Sequence, residues 1–294
     1  AKAAWIFPEL GKIDATSQPE RLKQLSLLMT HAENGRLTRT IVNRVWRQLM
    51  GRGIVHPVDA MHTKPWSDDL LDYLAVHFAD QNYDLKSVIK LIVTSHAYQS
   101  QTAVLADEPG KDDYVFQGPI VKRMTAEQFL DAIWTITDTW PQPDKRAFKI
   151  DGRKQGGQLA AVLKAHGPKA EWKDRRVRAV FTPLDALQSS LGRPNREQVV
   201  TTRPDLLTTL EAIGLANGPA LANMLQRGAA NLLGRDFASN DEMLDWLYMR
   251  AFSRQPTAPE KAVGRAVVGD KPTQQAVEDL LWTIFMLPEF QFIR

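Results

Sequence analysis

The chain has 294 residues, 44% of them hydrophobic and 24% charged, with a formal net charge of +3. This is an ordinary globular composition, long enough for one large or two smaller domains. The lack of cysteine excludes disulfides, iron–sulfur clusters, c-type haem attachment and cysteine-ligated zinc within the chain, and no apolar run reaches the ~18 residues of a membrane-spanning helix.

In chain order, the opening AKAAWIFPEL reads as the start of a fragment or of a processed chain. Helices follow. Gln18 to Thr30 places Leu22, Leu25, Leu28 and Met29 at helical spacing behind Ser17 and Pro19. Leu37 to Met50 combines Ile41, Val42, Val45, Trp46 and Leu49 with Arg39, Asn43, Arg44 and Arg47, and stops at Gly51-Arg52-Gly53. Arg39 and Asn43 are four residues apart and share a face, and the breadth of the apolar surface puts that face near the domain interior. Ser67 to Gln81 opens with a cap serine and two aspartates suited to the positive end of the helix dipole. Leu85 to Tyr98 has Leu85, Val88, Ile89, Ile92 and Val93 as its apolar stripe.

Residues 102–120 form a connector. Thr125 to Thr139 follows as a helix with a Thr125/Gln128 capping box and Phe129, Ile133, Trp134 and Ile136 on its buried face. The stretch from Lys145 to Arg203 is irregular and carries 14 Lys and Arg against 5 Asp and Glu. Such a concentration favours anionic polymers, anionic surfaces or an acidic protein face, or keeps a surface loop solvated. Within it, Arg176 to Phe181 alternates as a short strand would. Helices resume at Pro204–Ala216, Pro219–Leu233, Asp241–Phe252, Pro259–Val268 and Pro272–Met286. The fold class is therefore mainly α: a multi-helix orthogonal assembly with a basic irregular insertion at 145–203 and at most a short β element. It reads as one helical domain over 1–294, divisible into subdomains 1–101 and 119–294.

No complete catalytic signature is present, so catalytic residues stay unassigned and the sequence does not decide whether this is an enzyme. His56-x-x-Asp59-x-x-His62 has metal-ligand residue types at a generic spacing without a marked fourth ligand; loop histidines bonded to neighbouring backbone explain it better, and no metal or other cofactor is expected in this chain. SLGRPNREQVV (Ser190–Val200) sets Arg193 and Arg196 on either side of Pro194-Asn195, with Glu197 next. Paired guanidiniums on a stiff turn suit bidentate capture of a carboxylate, sulfate or phosphate. Alternatively Glu197 ties one of them into an internal ion pair, and the motif is a structural latch. Trp46, Trp134 and Trp282 sit on apolar helix faces and read as core, whereas Trp66 and Trp172, in loops, are candidates for stacking on a sugar. The run KDRRVR (Lys173–Arg178) has no recognition helix beside it, which makes nucleic acid a poor partner.

Several segments resemble, in order, the planctomycete cytochrome-c-associated domain family of unassigned function. They are Leu37–Val55 with its GRGIV ending, SDDLLDYLAVHFADQNYDLKSVIKLIVTSHAYQ (Ser67–Gln99), VKRMTAEQFLDAI (Val121–Ile133), LGRPNREQVV (Leu191–Val200) and LLWTIFMLPEFQFIR (Leu280–Arg294). The loop DAMHTKPW (Asp59–Trp66) departs from the family pattern. The resemblance implies a C-terminal domain of longer exported proteins, in the periplasm or at the cell surface, beside a companion domain that includes haem-c-bearing ones. It carries over no catalytic residue, but it pairs the Leu37–Val55 segment with the distant turn at Arg193–Glu197, where Glu197 is the acidic mate expected for the helix arginines. Two functions follow as expectations. The first is a helical interaction or scaffold domain of such an assembly, without a catalytic site. The alternative is an enzyme or binding module for acidic or sulfated polysaccharide. Its ligand residues would be drawn from Arg39, Asn43, Arg44, Arg193, Asn195, Arg196, Glu197, His62, Trp66 and Trp172, with Asp59, His62 and Glu197 as acids or bases.

Overall fold

The computed structural model describes residues 7–31, 33–103, 114–141, 176–195 and 208–293, together with 197, 198, 200 and 203. Trp172, Arg196 and most of the basic insertion lie outside the described residues. The chain is mainly α, as expected, and forms two compact units, Ala1–Lys122 and Arg123–Ile293. No helix among the described residues is long and apolar enough to cross a membrane.

In the first unit, α1 (Gln18–Met29) starts where the Ser17 hydroxyl accepts from the Glu20 amide. α2 (Gly35–Met50) starts at Asn34 and ends at Gly51, whose φ of 87° is left-handed. A side chain at Gly51 would also press on the Ile120 carbonyl, 2.8 Å from an added Cβ. The last carbonyls of α2 find a donor in Lys122, whose Nζ bonds the Gln48 and Leu49 oxygens at 2.9 and 2.7 Å. α3 (Asp68–Asp80) follows its Ser67 cap. The single helix expected over 85–98 is two, α4 (Leu85–Val93) and α5 (His96–Gln99). The break has a local cause: Thr94 Oγ and Ser95 Oγ turn back to the Lys90 and Ile92 carbonyls, and Ser95 then caps α5.

Val42, Trp46 and Met50 of α2 meet Leu71, Leu74 and Phe78 of α3 and Val88 and Ile92 of α4 in one core. Two apolar stripes are shallower than their sequence implies. On α1 only Leu28 is buried, with Leu22 and Met29 exposed, and on α4 Leu85 and Ile89 face outward. In each case the helix presents one edge of its stripe to the core and leaves the other in solvent.

In the second unit α6 (Ala126–Thr137) begins with the Thr125/Gln128 capping box and ends at Asp138 in the left-handed region. α7 (Ala186–Ser190), α8 (Thr209–Asn217), α9 (Pro219–Leu233), α10 (Asn240–Phe252), α11 (Ala258–Val268), α12 (Gln274–Met286) and α13 (Pro288–Gln291) complete it. Their core holds Leu130 and Ile133 of α6, Leu221 and Ala229 of α9, Leu244 and Leu247 of α10, and Leu281 and Phe285 of α12. Short strands, Lys122–Arg123 and Phe292–Ile293, stand at the two ends of this unit's chain, and the Met124 amide donates to the Gln291 carbonyl at 2.8 Å. Trp282 is 40% exposed rather than core: α12 buries Val277, Leu281, Ile284 and Phe285, and Trp282 lies off that face, donating to the Leu215 carbonyl at 3.3 Å.

The strand expected at 176–181 is instead coil ending in a 3-10 turn, Ala179–Phe181. Side chains, not a neighbouring strand, take its backbone groups. Asp131 accepts from the Ala179 amide at 2.8 Å, and Arg193 donates to the Ala179, Val180 and Thr182 carbonyls at 3.0 Å each.

Candidate functional site

Asn43, singled out in α2, is fully buried. Its amide nitrogen donates to the Val55 carbonyl at 3.0 Å and its oxygen accepts from the Val55 amide at 2.9 Å; a longer bond runs to Val58 O at 3.4 Å. The loop after α2 thus folds back on its own helix. Gly53 permits the approach, because an added Cβ would stand 2.3 Å from the Val55 carbonyl and 3.0 Å from the Asn43 oxygen. These bonds use the donors and acceptor that would have served an outside ligand.

The neighbouring arginines stay near the surface and have acidic mates in the same unit. Arg39 pairs with Asp72 of α3, both about half exposed, and Arg44 pairs with Asp59 at 2.5 Å. Glu197 is therefore not their partner. The pairing of Asp59 also breaks up the His56/Asp59/His62 pattern. His62 is exposed, and among the described residues no three His, Cys, Asp or Glu side chains come together as a metal site would need.

Trp66 is half-buried in an aromatic cluster. Its ring stacks on Phe116 at 5.7 Å with a 9° interplanar angle, meets Tyr114 edge-on at 5.8 Å and lies 6.2 Å from Trp46. A ring so enclosed packs the loop onto α2 and is poorly placed to stack on a sugar.

The second singled-out group centres on Arg193. Its side chain is only 14% exposed. Besides the three carbonyls, the guanidinium donates to the Gln188 side-chain oxygen, and Nε lies 3.6 Å from Glu127. Glu127 also takes a bidentate pair of bonds from Arg203 at 2.5 and 3.0 Å. Burial pushes the Glu127 carboxyl up, but hydrogen bonds from Arg203 and from its own backbone, with the charges of Arg203 and Arg193, outweigh this and hold it below its ordinary range. The acidic mate of Arg193 is thus Glu127 on α6, and the expected partner Glu197 is exposed, as is Asn195. A second anchor stands one turn further along α6, where Asp131 receives Arg178 Nε at 2.6 Å and the Ala179 amide.

The sequence-derived residues fall into two groups, one in each unit. Arg39, Asn43, Arg44, His62 and Trp66 belong to the first unit, and Arg193, Asn195 and Glu197 to the second. Glu127, Asp131 and Arg203 complete the second group and carry no local signal beyond being charged. An open cleft of about 420 Å³ lies at the start of α2, lined by Phe7, Glu9, Glu33, Arg36 and Arg39. Its charges balance, and Arg36 lies on the Phe7 ring at 4.7 Å while Arg39 is held by Asp72.

Neither a curated protein nor a solved structure matches the chain. The family model described as PSD1, protein of unknown function (DUF1553), matches residues 21–268. That span runs from within α1 to the end of α11 and includes both groups of singled-out residues, and the chain belongs to the PSD1 (DUF1553) family.

Proposed function

We propose that the chain is a helical interaction domain without a catalytic site, docking onto a companion domain or partner protein of an exported, cytochrome-c-associated assembly. The observation that carries this reading is how its polar side chains are spent. Asn43 and Arg193, both among the ligand candidates, bind the chain's own backbone, and Arg39 and Arg44 are held by Asp72 and Asp59. Outward-facing apolar side chains, among them Tyr73 and Val76 on α3 and Phe181 in the second unit, offer contact surface of the kind interfaces use. The setting rests on the resemblance of Leu37–Val55, Ser67–Gln99 and Leu280–Arg294 to the planctomycete cytochrome-c-associated family. It carries with it a periplasmic or cell-surface location and a haem-c-bearing companion.

The test is titration calorimetry of the purified chain against the haem-c-bearing proteins of its source organism. A saturable, stoichiometric complex is expected. No complex with any of them, together with salt-sensitive binding of a sulfated polysaccharide, would replace this reading with the glycan one.

A further inference from the structure

A second use of arginine stands on α10. Trp246, Met249 and Arg250 recur at intervals of three and four and share one face of the helix. Trp246 is half-buried against the core of the second unit, whereas Met249 and Arg250 are exposed. From the segment after α9, Arg235 brings its guanidinium carbon to 4.5 Å from the Trp246 ring centroid; that of Arg250 stands at 5.5 Å. Phe237 completes the group, its ring tilted against Trp246 at 6.0 Å.

What sets these two arginines apart is their charge balance. Around them, Lys261 pairs with Asp245, Arg265 with Asp241, and Arg254 with Glu260 and Glu289. Arg235 and Arg250 have no carboxylate within ion-pairing distance among the described residues, and Asp236, next in the chain to Arg235, does not reach one either. Two unneutralised cations are instead held against the same indole, a placement that fixes their orientation while leaving guanidinium N–H groups free to donate outward. Because both lie so close to one ring centre, their guanidinium carbons are at most about 10 Å apart.

That span suits two carboxylates borne by one short segment, which stand ~7 Å apart at alternate positions of an extended strand or ~5–6 Å apart one helical turn away from each other. The surroundings argue for protein over glycan. The indole already has guanidiniums over its ring, where a pyranose would stack. The neighbouring outward group is the Met249 thioether, 45% exposed, which packs on aliphatic side chains and offers little to sugar hydroxyls. Trp, Phe, Met and Arg are also the types enriched at the centres of protein interfaces.

We propose that Arg235, Trp246, Met249 and Arg250 form the surface through which the second unit takes an acidic segment of a partner protein, two carboxylates bracketing an aliphatic side chain. This rests on the interaction-domain reading and names the partner's chemistry. The probe is a fluorescein-labelled peptide of repeated Glu-Leu-Glu, titrated into the whole chain by anisotropy. A Gln-Leu-Gln peptide, a heparin-derived sulfated oligosaccharide and single-stranded DNA serve as competitors. Saturable binding is expected, weakened roughly 5- to 10-fold by Arg235→Gln or Arg250→Gln alone and lost in the double variant, at unchanged melting temperature.

The proposal is overturned if the acidic peptide does not bind, or if the double variant binds it as the parent does. It is equally overturned if the oligosaccharide or DNA binds more tightly and loses that binding in the double variant. A companion-protein complex that survives the double substitution would remove this surface while leaving the interaction-domain reading standing.

Discussion

Asn43 and Val55 exchange two hydrogen bonds, amide nitrogen to carbonyl at 3.0 Å and backbone amide to side-chain oxygen at 2.9 Å. A helix side chain thereby acts as the pairing edge for the loop that follows its own helix. Replacing Asn43 by Ala strands both Val55 groups in a buried site and is expected to cost roughly 2–4 kcal/mol. Asn43→Asp keeps the acceptor but sets a carboxylate against two carbonyls, and should cost more. Chemical denaturation of the two variants checks the order; an Asp variant as stable as the parent would dismiss the clamp.

The arginines beside it behave differently. Arg39–Asp72 and Arg44–Asp59 are pairs between half-exposed side chains, and such pairs are worth about 0–1 kcal/mol. Arg39→Ala and Arg44→Ala should each shift stability by less than that, and less still at high salt. A thermal melt in which either matches the Asn43→Ala loss would show that the pair is worth more than an exposed one.

Arg193 has a planar fork that serves three carbonyls, a glutamine and Glu127 together. Lysine, with a single ammonium, cannot span them. Arg193→Lys is expected to destabilise by about 2 kcal/mol and Arg193→Ala by about 3, while Asn195→Ala, at an exposed position, stays within roughly 0.5 kcal/mol. Amide hydrogen exchange at residues 179–182 should rise in the first two variants only.

Acid should loosen the second unit through two carboxylates. Glu127 and Glu260 both have folded-state pKa values below the ordinary 4.5, Glu260 at about 2 because Arg254 donates to it and the Thr257 backbone adds a further bond. Below 4.5 the unfolded chain binds the proton first. Their contribution is therefore complete above that pH and fades as pH falls through the folded values. Urea midpoints between pH 6 and pH 2.5 should drop at the acid end, and Glu260→Gln should flatten the slope. An unchanged slope in that variant would rule Glu260 out as a source.

The helical body was open to reading because its signals are local. Ser17, Ser67 and Thr125 cap helices within three residues of themselves, and Gly51 ends α2 by its own backbone angle. The mates of the arginines were not, since Asp72, Asp59 and Glu127 answer to no periodicity and meet their partners only through tertiary packing. The strand expected at 176–181 failed for the same reason: alternation describes its side chains, but distant Asp131 and Arg193 claim its backbone. The Trp246 surface had one sequence sign, the i, i+3, i+4 spacing of Trp246, Met249 and Arg250. Its second cation comes from beyond the helix, and the lack of a neutralising carboxylate is visible only in space.

The Asp131 anchor joins segments distant in the chain. It ties α6 to Arg178 and Ala179 across 47 and 48 residues. One carboxylate takes both a guanidinium and a backbone amide, so it fixes the position and the direction of the arriving chain at once. The 3-10 turn over Ala179–Phe181 is therefore docked on α6 as a unit, and loss of this single side chain releases it from that helix whole instead of bond by bond.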